Sequence, residues 1–339
     1  MMNETLNPKA MKPADYATDQ EVRWCPGCGD YAVLKAMKTV LADIAAKREN
    51  TVFVSGIGCS SRFPYYIDTY GFHTIHGRAP AIATGILLAN PDLDVWIITG
   101  DGDGLSIGGN HLMHLLRRNL NCQVLLFNNE TYGLTKGQYS PTSRVNTRSP
   151  SSPSGSIDHP VDPTQFALGS GARFVARAVD TQVKQLVDVL KAAHAHPGAA
   201  FVEIFQNCIV FNEDVFDDFT ARDKAANNQV ELQHGAALVF GEDQTRALTF
   251  DPKTLGLKAV DIAAGDHAGA LVHDVTNRNL AFALSQMTPP ELPMAMGVLY
   301  DNPAEVYDVG ANREPSKRAL QDVMQSGFTW TVEPGATAI

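Results

Sequence analysis

The sequence predicts an α/β protein with a mostly parallel sheet flanked by helices, and three observations carry that prediction. Strand and helix signals alternate between residues 30 and 205. The strands are near-continuous apolar runs such as Val95-Trp-Ile-Ile98, the pattern of strands buried on both faces. Four residues with chemical potential, Cys59, Asp101, Asn129 and Cys208, each fall just beyond a predicted strand. Ligands of open parallel sheets bind at the carboxyl ends of the strands, so these scattered positions can share one edge.

In chain order, Tyr31, Leu34, Met37, Val40, Leu41 and Ile44 recur at three- and four-residue spacing and predict a helix from Asp30 to Lys47. Thr51 to Ser55 is a β-rich run ending at Gly56. Ala79 to Ala89 predicts a helix stopped by Pro91. Asp94 to Thr99 is a buried strand that runs into Gly100. Ile107 to Arg118 is helical, with Leu112, Leu115 and Leu116 on one face, and Gln123 to Phe127 is the next apolar strand. Thr181 to His194 predicts a helix and Ala200 to Phe205 a further strand. Between them, Ser140 to Pro163 is rich in Ser, Pro, Thr and Asn and reads as a long exposed loop. Beyond Phe211 the pattern weakens, and from Pro289 onward the prolines leave no strong period. The expected organisation is one domain over 1–210 and a C-terminal extension over 211–339 that packs on the domain or on a partner subunit.

Bulk properties narrow the class. The 339 residues, 44% hydrophobic and 19% charged, suffice for a sizeable core. A net charge of -10 argues against nucleic acid or an acidic membrane surface as partner. Met1 to Tyr16 has no apolar core segment, and the longest apolar run, Pro80 to Asn90, falls short of the roughly 20 residues that span a bilayer. A cytoplasmic protein is expected. In that reducing compartment a Cys-x-x-Cys serves metal binding or catalysis more often than a structural disulfide.

Two constellations carry chemistry. Gly100-Asp101-Gly102 closes one predicted strand and Asn128-Asn129 the next, an interval that matches the thiamine diphosphate signature. Glycines let a diphosphate approach the backbone closely. Mg²⁺ is a hard ion that takes oxygen ligands together with substrate phosphates. Asp101, the Asn129 side chain and the Thr131 carbonyl are the candidate magnesium ligands, and helix N-terminal amides past Gly102 would meet the anion. A nicotinamide fingerprint fails, because Ile107 replaces its last glycine. The second constellation is the clip Cys25-Pro-Gly-Cys28 with single cysteines at 59 and 208. Four thiolates from three places suit a [4Fe–4S] cluster; a zinc ion and unconnected thiols stay open on spacing alone. Cys122, ahead of an apolar strand, reads as core.

Taken together, Trp24-Cys-Pro-Gly-Cys-Gly29, Gly56-Ile-Gly-Cys-Ser60, His76-Gly-Arg78, Ala83-Thr-Gly85, Gly100-Asp-Gly-Asp103, Asn128-Asn129 and Tyr132-Gly-Leu-Thr-Lys-Gly-Gln138 resemble the β subunit of 2-oxoacid:ferredoxin oxidoreductases. The likeness is strong over residues 20–215 and looser beyond. It implies one [4Fe–4S] cluster on Cys25, Cys28, Cys59 and Cys208. It also implies that Gly58, Cys59, Ser60, His76, Gly100, Asp101, Gly102, Asp103, Asn129, Thr131, Gly133, Leu134 and Thr135 line a site for thiamine diphosphate and Mg²⁺. The run from Tyr132 through Ser140-Pro-Thr142 looks like the 2-oxoglutarate-using branch, with a pyruvate or broad-specificity enzyme as the alternative. On that branch Arg62 and Lys136 are the cations expected to meet the distal carboxylate, with His76 as a third catalytic candidate.

The resemblance implies reversible, coenzyme A-dependent oxidative decarboxylation of 2-oxoglutarate to succinyl-CoA, with electrons leaving through the cluster to ferredoxin. Only a diphosphate domain is legible, so an α subunit with the pyrimidine domain is expected, in a heterodimer or dimer of heterodimers. A self-contained thiamine diphosphate decarboxylase or carboligase with structural zinc, and a non-catalytic iron–sulfur electron-carrying or scaffold subunit with a vestigial diphosphate site, are the competing readings.

Overall fold

The structure is a computed structural model that describes residues 11–307. A 3₁₀ turn at Pro13–Tyr16 leads to α1 (Asp30–Asp43), β1 (Thr51–Ser55), a 3₁₀ stretch at Ser60–Tyr66, β2 (Tyr70–His73), α2 (Ala79–Ala89) and β3 (Asp94–Gly100). Next come α3 (Asp101–Leu105), α4 (Gly109–Arg118), β4 (Cys122–Asn128) and the short pair β5 (Thr131–Tyr132) and β6 (Gln138–Tyr139). After them follow α5 (Pro163–Gly169), β7 (Phe174–Val179), α6 (Val183–Ala195), β8 (Ala199–Phe205), α7 (Asp217–Thr220) and α8 (Ala225–Asn228). The described chain ends with β9 (Gln229–Leu232), β10 (Val239–Phe240), β11 (Arg246–Asp251), β12 (Gly256–Asp261), α9 (Arg278–Ser285) and β13 (Met294–Asp301).

Eight strands form one sheet in the order β2-β1-β3-β4-β8-β7-β13-β9. Neighbours are parallel except β13, which runs antiparallel to β7. The parallel, helix-covered sheet predicted from the apolar runs is therefore present. Successive residues of β3 explain why those runs are continuous. Val95 and Ile97 enter the core beneath α2, α4, α5 and α9, whereas Trp96 and Ile98 enter the opposite core beneath α1 and α6. Both faces are covered, so alternation with polar residues would leave polar groups buried. Among the described residues no helix is long and apolar enough to cross a membrane.

Several boundaries differ from expectation. α1 stops at Asp43 rather than Lys47, because Ala45 turns into the left-handed region at φ 52°. α4 starts at Gly109 rather than Ile107. β7 has no clean signal because Arg177 interrupts Phe174-Val-Ala-Arg-Ala-Val179; the guanidinium is buried and paired with Glu203 at 2.9 Å and Asp162 at 2.8 Å. The span read as an extension supplies β9 and β13 to the main sheet and β10, β11 and β12 to a small antiparallel sheet. Its prolines obscured the apolar run of β13. Residues 308–339 of that expected extension lie outside the described residues.

The segment from Ser140 to Pro163 is irregular, as expected, but its start is not exposed: Ser140, Thr142 and Ser143 are buried.

Candidate active site

The carboxyl ends of β1, β3, β4 and β8 do place the predicted residues along one edge. One cavity has Gly58, Cys59, Ser60 and His76 on one wall. Gly100 to Asp103 form its floor, and Asn129, Thr131 and residues 133–135 close it. Every predicted cofactor-lining residue therefore borders the same space. Gly102 has a steric reason: a Cβ there would come within 2.1 Å of the Tyr132 ring.

Asp101 is buried at the start of α3. Its Oδ2 accepts hydrogen bonds from Ser140 Oγ at 2.5 Å and Thr142 Oγ1 at 2.6 Å. Burial pushes its carboxyl above the usual range, against the pull of those hydroxyls. Its place on the cavity floor gives an oxygen donor of the kind a hard cation takes. Asn129 Oδ1 accepts from Thr131 N–H at 3.2 Å, while the Thr131 carbonyl accepts from Gly133 N–H at 3.1 Å.

Asp103 is a wall-builder. Its Oδ1 takes the amides of Gly77 at 2.8 Å and Ile57 at 3.1 Å, and its Oδ2 takes the Thr99 hydroxyl at 2.8 Å. The loops after β1 and β2 are thereby tied to the floor. His76 stands on this rim, its Nδ1 4.0 Å from Asp103 Oδ1.

The second cavity, of about 200 Å³, is lined by Cys25, Cys28, Cys59 and Cys208 together. Pro26 and Gly27, at φ 88°, make the tight turn of the clip, closed by Cys28 N–H on the Cys25 carbonyl at 3.0 Å. Trp24 Nε1 anchors Cys59 through its carbonyl at 2.7 Å. A Cβ on Gly133 would sit 3.6 Å from both Cys59 Sγ and Cys208 Sγ. Burial, with Asp30, Cys208 and Cys25 adding to it, pushes the Cys59 thiol up to about 12, against the opposing Arg62. Burial likewise raises Cys28, with Asp30, Cys59 and Cys208 adding to it.

Such thiols ionise together only around a strongly positive group, which deprotonates coordinating sulfur. A single ion would need all ligands about 2.3 Å from one point. Among the described residues no group of three or more His, Cys, Asp or Glu side chains is placed to hold one metal ion. The four sulfurs border one common cavity, the donor set that a Cys₄ iron–sulfur group takes. Cys122 is buried in the sheet core, away from this cavity.

Cys59, Asn129, Gly133 and Leu134 border both cavities, so one thin wall separates them. Two expected residues are placed differently. Arg62 lines the cysteine cavity, its Nε donating to Tyr66 Oη at 3.1 Å. Lys136 lines neither cavity; the turn closed by its own N–H on the Gly133 carbonyl leaves it exposed at φ 79°. The hydroxyl clamp on Asp101 has no sequence signal, since Ser140 and Thr142 carry only loop composition and a likeness to the 2-oxoglutarate-using branch. Gln206 carried no motif signal at all.

Fold and site together define the diphosphate-binding module of a thiamine diphosphate enzyme. Residues 56–204 match the family model described as thiamine pyrophosphate enzyme, C-terminal TPP binding domain. The chain is 49% identical over 335 residues to the 2-oxoglutarate oxidoreductase subunit KorB of Mycobacterium tuberculosis, covering 95% of this chain and 89% of that protein. A 2-oxoacid:ferredoxin oxidoreductase subunit beta of Aeropyrum pernix is 48% identical over 200 residues, 59% of this chain and 63% of its own length. A solved structure of 2-oxoglutarate:ferredoxin oxidoreductase from Magnetococcus marinus, with 2-oxoglutarate, coenzyme A and succinyl-CoA bound, superposes with a TM-score of 0.75 at 32% identity, over 94% of this chain and 96% of that one. The chain belongs to the β-subunit family of the 2-oxoglutarate oxidoreductases.

Proposed function

We propose that this chain, paired with an α subunit that carries the pyrimidine domain, converts 2-oxoglutarate and coenzyme A to succinyl-CoA, CO₂, a proton and two electrons, reversibly. The electrons pass through a [4Fe–4S] cluster on Cys25, Cys28, Cys59 and Cys208 to ferredoxin, in the cytoplasm. The supporting observation is the shared wall: Cys59, Asn129, Gly133 and Leu134 face both the diphosphate cavity and the four-cysteine cavity. Thiamine diphosphate, when bound, supplies the electron sink for decarboxylation. The chain's own residues hold and orient. Asp101, Asn129 and the Thr131 carbonyl would hold Mg²⁺ on the diphosphate, and Ser140 and Thr142 fix the rotamer of Asp101. Arg62 and Lys136 remain the candidates for the distal carboxylate. Lys136 reaches it only if the partner subunit closes over this rim, where Phe72, Ile75, Ile107 and Leu134 are exposed apolar side chains.

The test is anaerobic turnover of the co-expressed complex with 2-oxoglutarate against pyruvate, with iron and thiamine diphosphate analyses on the same sample. Expected are a preference for 2-oxoglutarate and about four irons per chain. Asp101→Ala should lose at least tenfold in Mg²⁺-dependent cofactor retention and keep its iron. Normal thiamine diphosphate content in that variant would refute the magnesium assignment, and zinc in place of iron would refute the cluster.

A further inference from the structure

We propose that Gln206 is a positioning residue that sets both the magnesium ligand Asn129 and the electron affinity of the cluster at Cys28. This rests on the reading of the two cavities given above. Gln206 directly follows β8, and its own N–H bonds the Asn128 carbonyl at 2.8 Å, so its backbone is held at the carboxyl edge of the sheet. Its side chain is buried, at 1% exposure. Nε2 donates to the Asn207 carbonyl at 2.7 Å and to Cys28 Sγ at 3.2 Å. Oε1 accepts from Asn129 Nδ2 at 2.8 Å.

These bonds fix direction as well as place. A backbone carbonyl can only accept, so Asn207 determines which end of the Gln206 amide is NH₂. The Gln206 oxygen must then face Asn129, and Asn129 must answer with its own NH₂. Its oxygen is thereby left to the Thr131 amide and the cofactor cavity, and an oxygen is what Mg²⁺ requires. The other amide proton of Gln206 stabilises negative charge on Cys28. Hydrogen bonds to ligating sulfur favour the reduced, more negative cluster and raise its potential. One side chain therefore holds the two centres in a fixed relation.

Two variants of the co-expressed complex separate the arms. Gln206→Leu removes both. Gln206→Glu keeps an acceptor for Asn129 and removes the donor to Cys28. The readouts are the Mg²⁺ dissociation constant, from calorimetric titration with thiamine diphosphate present, and the cluster midpoint, from a redox titration followed by electron paramagnetic resonance. For Gln206→Leu we expect Mg²⁺ binding about tenfold weaker and a reduced-to-oxidised ratio about tenfold lower at fixed potential, about 59 mV for one electron. For Gln206→Glu we expect Mg²⁺ affinity within about threefold of the parent, with at least the same fall in midpoint.

Parent-like values of both quantities in Gln206→Leu, or of the midpoint in Gln206→Glu, overturn the proposal. Equal losses of Mg²⁺ affinity in the two variants reduce Gln206 to packing and overturn it too. If Gln206→Leu does not assemble, Gln206→Glu decides alone. A parent complex lacking iron or thiamine diphosphate would instead overturn the function itself, a result distinct from unchanged variants in a fully loaded parent.

Discussion

At the scale of single residues, ligands announce themselves by type and supports do not. As candidate ligands, Cys59, Cys208, Asp101 and Asn129 were legible because few other tasks require those residue types just after strands, and Cys25 and Cys28 because of their Cys-x-x-Cys spacing. The supporting roles of Gln206 and Thr142 were illegible, since a glutamine or threonine side chain takes up such a role only through a partner distant in sequence, 178 residues away for Gln206 and Cys28. Gly133 is intermediate: it was quoted within a motif, yet its reason is spatial. Alanine there places a methyl group 3.6 Å from the Cys59 and Cys208 sulfurs, an ordinary contact between free side chains but one that takes space from the proposed cluster. Gly133→Ala should therefore fold with parental helix content and carry less than half the parental iron, measured by circular dichroism and iron analysis. Full iron content would show that Gly133 lies outside the volume the cluster needs.

At the scale of elements, the central strands were readable and the lateral ones were not. β3, β4 and β8 are buried on both sides, so their sequences carry little but burial. β7 carries a buried cation satisfied by Glu203 and Asp162, which no local window can foresee. The seam between α6 and β13 is similar. His196, the C-cap of α6, has a fully buried side chain whose Nδ1 meets Asp301 Oδ1 at 2.7 Å, while its Nε2 is buried without a partner. Burial lowers its basicity in the folded chain despite the carboxylate. A depressed value means that the unfolded chain binds the proton more readily. The His196 contribution is thus full above the ordinary histidine range near ~6.5 and is lost as pH falls through the depressed value. His196→Phe, which keeps the ring beside Phe174, should lose less stability than the parent between pH 7.5 and 5.5 (roughly one unit either side of that range), read from urea midpoints. Equal losses would remove His196 from the acid response.

At the scale of the whole molecule, the expected boundary at residue 210 divides something the sheet unites. β13 pairs with β7 from Gly297 to Asp301, and Ala281, Leu284, Ala295 and Leu299 enter the same core as Val124 and Phe201. Without them, β7 would present a bare edge and the helix-covered face would lose a corner of its packing. A chain ending at residue 210 should accumulate as aggregate, whereas the full chain should be recovered in solution; both are read from the soluble fraction after expression. Good recovery of the shorter piece would restore the boundary.

The antiparallel seating of β13 also bears on synthesis. The ribosome releases β1, β3, β4 and β8 first, and the strand that covers the flank of β7 emerges long after them. Until then the nascent polypeptide holds the four cavity-lining cysteines on an unfinished scaffold. Any group seated between those cysteines before that moment would sit in a half-built vessel.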